Sequence, residues 1–263
     1  MDKFVYEYHK EGFFGYSETP IFKYFSLAHL LPIVLLCIGI FLVYRYRDKL
    51  RAWKHEETFR SLIGAWLIFN ESAYYWRLLY VGNSQDGTQM LTFLPLEVCE
   101  WTAYIAAFML LKKNRHLYDV AFYIALTLGL IPLFTPAVLT RTGMGHFRYY
   151  AFWVEHIVPI LGVLYMTFVH GFRPDFRKVY KPFIMLSVLA CFAIYANLHI
   201  PDANFMYLAA GTAGDSLANV LPANIWLRLL VAFGILCVLF ALVSLPQIVK
   251  EIRQKRAKSA KEP

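Results

Sequence analysis

Apolar residues gather in seven long runs, at about 26–44, 61–82, 91–111, 118–139, 149–172, 181–200 and 225–248. Each run approaches the roughly 20 helical residues that cross a bilayer. The pattern therefore predicts an all-α polytopic membrane protein with seven transmembrane helices. The polar stretches between runs leave no room for a soluble domain, so residues 1–263 read as a single transmembrane bundle. Within it, residues 1–25 form an aromatic segment suited to the membrane interface. Residues 249–263 form a basic tail. Residues 201–224, rich in Gly, Ala, Asn and Pro, are expected to lie over the outer face as a lid or re-entrant turn, and Pro132 and Pro136 to kink the fourth span.

The polar positions add orientation. Basic clusters follow the first, third, fifth and seventh runs: Arg45 to Arg60, then Lys112, Lys113 and Arg115, then Arg173 to Lys181, then Lys250 to Lys261. The alternate loops, 83–90 and 201–224, hold no Lys or Arg. By the positive-inside rule the tail is cytoplasmic and the amino terminus outside. A multi-pass plasma-membrane location follows as the expectation.

Composition agrees. The chain is 59% hydrophobic and 17% charged, below the roughly 25% charged of soluble domains. The net charge of +8 lies in short topological clusters, which argues for membrane lipids as partners and against nucleic acid. The four cysteines, Cys37, Cys99, Cys191 and Cys237, fall within spans and show neither a disulfide framework nor a C-x-x-C metal pattern.

Depth along each helix, at about 1.5 Å per residue, brings out the candidate chemistry. The third run places Glu97, Cys99 and Glu100 near or just outward of its centre, and the second carries Asn70, Glu71 and, further out, Arg77. The fifth carries Glu155 and His156, and the outer end of the sixth carries Asn197 and His199. Several independent helices thus put polar groups at one depth, in the outer half of the bilayer. Four ionised carboxylates facing lipid would cost roughly 12 kcal/mol, at about 3 each, comparable with the whole stability of a domain. They must be paired, protonated or in contact with water, and Arg77 is the expected partner. Each group also has a plain structural reading: Glu97 and Glu100, on a face with Tyr104, as an interhelical hydrogen-bond site; His156 as a packed histidine; Cys99 as a small apolar filler.

Two chemistries would use this set. Acyl transfer or lipid hydrolysis needs a nucleophile, a base and oxyanion donors. Cys99 and His156 are the thiol–imidazole pair at matching depth; Glu97, Glu100 or Glu155 would orient the imidazole, and Arg77 or Asn70 would hold negative charge. Without the thiol, His156 would activate water directly. The second chemistry is a metal held by Glu97, Glu100, Glu155, His156 and His199, but no H-x-x-x-H or H-E-x-x-H spacing is present, so no metal or cofactor is assigned.

Leu94-Pro95-Leu96 with Cys99, Phe152-Trp153-Val154-Glu155-His156, Asn204-Phe205-Met206-Tyr207-Leu208 and Leu221-Pro222-Ala223-Asn224-Ile225-Trp226 resemble the bacterial YwaF family of integral membrane proteins. That family is in turn similar to eukaryotic transmembrane acyltransferases that move fatty acyl chains onto lysophospholipids with a Cys and a His. The resemblance implies a bundle of six or seven helices, with His156 at the family's histidine. Leu96 stands at the cysteine position just after the proline, and Cys99 follows three residues later. Glu97 stands where many relatives carry His.

The reading that combines these observations is a lipid-acting membrane protein, transferring or hydrolysing acyl groups at a polar outer pocket. His156 is its base, Cys99 its candidate nucleophile, and Glu97, Glu100 and Glu155 its tuning groups. Asn70, Glu71, Arg77, Tyr104, Asn197, His199 and Asn204 are the candidate substrate contacts. The alternative is a binding or transport protein that uses the same carboxylates for a ligand or a proton.

Overall fold

A computed structural model of the chain describes residues 12–17, 19–81, 91, 93–201, 203–209 and 220–259. Among these there is no strand. The main helices are α1 (Leu27–Arg45), α2 (Arg47–Ala52), α3 (Glu56–Val81), α4 (Val98–Lys112), α5 (Arg115–Ala125), α6 (Ile131–Phe134), α7 (Phe147–Phe168), α8 (Tyr180–His199) and α9 (Ile225–Ser259). Residues 1–11, and so much of the aromatic segment, lie outside the described residues, as do 210–219.

The chain is an all-helical membrane protein. Among the described residues, four helices are long and apolar enough to cross a bilayer, or five when the bent pair Arg115–Ala125 and Leu128–Phe134 counts as one crossing. The other two apolar runs depart from the expected spans for visible reasons. Helix α3 has 26 residues but carries Arg60, Glu71 and Arg77. Helix α4 has only 15 residues, about 22 Å at 1.5 Å per residue, short of the ~30 Å hydrocarbon core. Its expected start near residue 91 is pre-empted by Pro95, which disfavours helical geometry in the residue before it. Glu97 is consequently an N-cap, not a mid-helix residue.

The fourth run bends by 49°. The break falls at Leu126–Thr127, upstream of Pro132, because a proline ring clashes with the carbonyl four residues back, here that of Leu128. Thr127 Oγ1 donates to Tyr123 O at 2.6 Å, which occupies one carbonyl at the break. The helix ends at Phe134, two residues before Pro136.

Helix α7 is the axis of the bundle, packed against α1, α3, α4 and α5. It is buried along most of its length, whereas α1 and α9 turn mostly apolar side chains outward, as a lipid-facing helix must. Helices α3 and α4 cross closely over small residues, Gly64 against Ala107, beside the buried Ala103 and Ala106. A Cβ at Gly64 would lie 2.8 Å from the Ala107 carbonyl oxygen. Gly64→Val should therefore push the helices apart at a cost of about 1–3 kcal/mol. The check is the melting temperature of the purified protein in detergent; an unchanged value would contradict the close crossing.

Residues 12–17 and 19–25 lie along the segment that leads into α7. Ser17 N–H donates to Arg141 O at 2.9 Å, Ile21 N–H to Thr140 O at 3.0 Å, and Phe147 N–H to Phe13 O at 2.7 Å.

Candidate functional site

The polar centre is built from the first turn of α4 and the second and third turns of α7, with α3 alongside. Val98 opens α4, so Cys99 is its second residue and Glu100 its third. The Glu100 carboxylate accepts the Glu97 N–H at 3.1 Å, and Glu97 returns the contact to the backbone of Glu100, a reciprocal capping box. This helix end needs such partners, because its first N–H groups have none within the helix.

Opposite it, α7 presents Glu155 and His156, both buried. One ligand-type atom each from Cys99, Glu155 and His156 falls within 4.8 Å of the other two. The thiol–imidazole pair anticipated at matching depth is thus brought together, with one carboxylate beside it. His156 Nδ1 lies 2.7 Å from Phe152 O. A carbonyl only accepts, so in the neutral ring the proton sits on Nδ1 and Nε2 carries the lone pair. The ring also packs on Phe152, with centroids 4.3 Å apart. What orients the imidazole is therefore a backbone carbonyl one turn earlier; none of the three glutamates expected in that role does so.

The carboxylates around this pair each have a place. Glu155 lies 3.8 Å from the Arg148 guanidinium, which covers the Tyr74 ring at 4.3 Å. Glu100 accepts from Tyr75 OH at 2.8 Å. Glu71 is buried beside Asn70, whose amide nitrogen donates to Ala151 O at 3.2 Å. Glu71, Glu100 and Glu155 interact electrostatically, with Arg148 the cation among them. Tyr104 lies on α4 within electrostatic reach of the same three carboxylates.

Arg77 is not the partner of these groups. It donates from Nε to Phe14 O at 2.7 Å and stacks on Tyr16 at 4.3 Å. It lies about 10 Å further along α3 than Asn70, at 1.5 Å per residue, which puts it against residues 14–16. Arg148 takes the expected place, seven residues before Glu155 and on the same face of α7. That spacing was open to sequence reasoning; Tyr75, whose partner Glu100 lies on another helix, was not.

Asn197, Asn204 and Glu97 hold a loop. Asn197 accepts from Phe205 N–H at 2.7 Å and donates to Phe205 O at 3.1 Å. Asn204 Oδ1 accepts from Ala209 N–H at 2.9 Å, and Glu97 accepts from Met206 N–H at 3.0 Å. Met206 and Tyr207 adopt left-handed backbone at φ 55° and 53°, a conformation that costs about 1 kcal/mol or more per residue unless the surroundings impose it. So the described part of the 201–224 stretch closes over the start of α4, as a lid would. His199 is elsewhere: it is exposed, stacked on Tyr195, with Nδ1 2.8 Å from Tyr195 O.

Arg228 locks this loop from α9. Buried, it donates to the carbonyls of Tyr207, Ala209, Leu221 and Pro222. A hydrogen bond from a charged group contributes about 1.5–3 kcal/mol. Arg228→Leu should therefore speed hydrogen exchange over 203–209 at least tenfold. Exchange at the wild-type rate would show that the arginine does not hold the loop.

A second buried network, at the other end of α3, escaped sequence reasoning. Glu56 Oε1 accepts from Arg60 Nε at 3.0 Å, from Tyr165 OH at 3.0 Å and from His170 Nε2 at 2.7 Å. Arg60 also donates to Leu110 O. Only the return of α7 beside α3 brings residues 56 and 170 together, and no local spacing signals it.

The model of the TMEM164 family matches residues 24–244, most of the chain. No curated protein and no solved structure matches it.

Proposed function

We propose that this chain, which belongs to the TMEM164 family of membrane proteins, transfers or hydrolyses acyl groups of membrane lipids at the Cys99–His156 pair. The observation that carries this reading is the convergence of Cys99, Glu155 and His156 from two helices, with the imidazole fixed so that Nε2 faces away from its own backbone. In the acyl step Cys99 Sγ attacks the ester carbonyl carbon while its proton passes to His156 Nε2. The C–O bond then breaks, the leaving alkoxide takes the proton from Nε2, and the acyl chain remains as a thioester on Cys99. A second hydroxyl, from a lysolipid or water, gives its proton to Nε2 and attacks the thioester; the C–S bond breaks and the departing Cys99 thiolate takes that proton back from Nε2. The positive end of α4, at whose second position Cys99 stands, favours the negative charge that develops. Glu155, held by Arg148, places a carboxylate beside the pair, where its charge favours the imidazolium that forms in each step.

Support also comes from the resemblance of the 94–99 and 152–156 motifs to membrane proteins similar to lysophospholipid acyltransferases. The topology is part of the same proposal: seven crossings in the plasma membrane, the amino terminus outside and the basic tail cytoplasmic, supported by the alternation of basic loops. The outer leaflet would then supply the substrate.

A lipid-like thiol-reactive probe tests the nucleophile. Cys99 should be labelled selectively, although Cys37, Cys191 and Cys237 are more exposed, and His156→Ala should suppress that labelling at least tenfold, consistent with the size of general-base effects. Equal labelling of all four cysteines, with no dependence on His156, would remove Cys99 from the chemistry. A second reading, proton or ligand binding without turnover, is favoured by the grouping of three carboxylates near the Arg148 guanidinium. It predicts that His156→Ala leaves membrane-lipid composition and turnover unchanged.

A further inference from the structure

We infer that Cys99 Sγ, one Glu155 carboxylate oxygen and His156 Nε2 form a three-ligand site for Zn2+, a site that holds the acyl chemistry off when filled. The donor set is the first ground. Thiolate, imidazole and carboxylate are the three ligand types zinc takes, and a soft sulfur beside nitrogen selects zinc over Mg2+ or Ca2+. Geometry is the second. Ligands about 2.0–2.3 Å from a tetrahedral zinc lie roughly 3.3–3.8 Å from one another. One ligand-type atom from each of the three residues already falls within 4.8 Å of the other two, so movements of about 1.5 Å or less close the site.

The surroundings are the third ground. Metal-bound histidines commonly donate their other ring N–H to a carbonyl, which fixes the ring and leaves the ligating nitrogen free; His156 does this through Nδ1 to Phe152 O at 2.7 Å. Glu155 is braced by Arg148 at 3.8 Å. Glu100 and Glu97, by contrast, are occupied by Tyr75, by the α4 backbone and by Met206. The site therefore has three protein ligands and one open position, not five ligands. Charge is the fourth. A thiolate and a carboxylate neutralise Zn2+, and a neutral site is what a buried position among membrane helices tolerates best. On binding, the Cys99 thiol gives up its proton to the buffer and the Sγ–Zn bond replaces it.

Zinc so held occupies both the sulfur and the nitrogen that the proposed acyl chemistry needs. That inhibition rests on the proposed function; the binding does not. The test uses the full-length, tag-free protein in nanodiscs, stripped with chelator and dialysed against zinc chloride. Wild type should retain one zinc per chain by elemental analysis and melt at higher temperature with zinc than without. Cys99→Ser and His156→Gln should each weaken binding by more than the 10–100-fold typical of losing an outer-shell partner. A variant with Cys37, Cys191 and Cys237 all changed to Ser should bind as wild type does. Glu155→Gln, which keeps the side-chain shape, serves as the check where another substitution disturbs folding. In the same samples Co2+ should give a thiolate charge-transfer band that Cys99→Ser abolishes. Failure of wild type to retain zinc, or equal retention by Cys99→Ser and His156→Gln, overturns the site. Zinc binding without lipid turnover in the stripped protein would sink the acyl reading alone, and turnover without zinc binding would sink the zinc site alone.

Discussion

His156→Ala should lower acyl turnover on membrane lipids by at least about a hundredfold, within the 10²–10⁴ range that a positioned general base contributes. Two roles are lost together. In the proposed chemistry Nε2 takes the thiol proton in the first step and supplies it to the leaving group in the second, and among the described residues no second imidazole stands at the centre. Phe152 O fixes the ring through Nδ1, so a side chain without that nitrogen cannot be aimed in the same way. The measurement is release and transfer of a labelled acyl chain by protein in nanodiscs. His55→Ala, exposed beside Trp53 on another part of the chain, is the control expected to behave as wild type. A His156→Ala enzyme within threefold of wild type would leave the proposal without its base.

The largest stability effect should come from Glu56→Ala. The carboxylate receives Arg60, Tyr165 and His170, and both Glu56 and Arg60 are buried. Removing one partner of a buried pair leaves the other charge uncompensated, at a cost of about 3–5 kcal/mol. Folded yield and melting temperature in detergent should both drop, and a variant as stable as wild type would show that the network contributes little.

The same network has a direction with pH. Burial pushes the Glu56 carboxyl up, but the hydrogen bond and charge of His170, the charge of Arg60 and the Tyr165 hydroxyl together hold it below its ordinary value. A depressed carboxyl stabilises the fold above its ordinary range, and that contribution is lost as pH falls through the lower folded value. Burial pushes His170 down further than Glu56 draws it up. The unfolded chain therefore takes this proton first, and stability declines once pH falls below the ordinary histidine value near 6.5. His170 alone acts between pH 7.5 and 5, where the melting temperature should fall on acidification; Glu56 adds to the fall only below its ordinary value of 4.5. His170→Gln should flatten the upper part of that fall; an identical slope in the variant would assign it to other groups.

The helical membrane class was open to sequence reasoning because 20-residue apolar runs have few alternatives. The convergence of Cys99 with Glu155 and His156 was legible for a similar reason: helix rise converts sequence position into depth once the crossing direction is set. Rotation about each helix is not readable in that way. Arg77 and Arg148 lie on neighbouring helices toward the same end, yet one serves Phe14 and the other Glu155, a choice made by side-chain packing. Glu97 was misplaced because an apolar run conceals a helix start; the cue was Pro95 followed by Glu97 and Glu100 at capping-box spacing. The Glu56 network gave no signal, since its members sit in segments that read as ordinary basic loop and span end.

The shared centre of α4 and α7 is tested most directly by bridging it. With Cys37, Cys191 and Cys237 changed to Ser and Glu155 changed to Cys, a short bifunctional thiol reagent such as dibromobimane should link residue 155 to native Cys99. Mass spectrometry of the digested protein should recover that crosslinked peptide in most molecules. If residues 99 and 155 instead carry separate, unbridged adducts, the two helices do not meet there, and the account of the site fails.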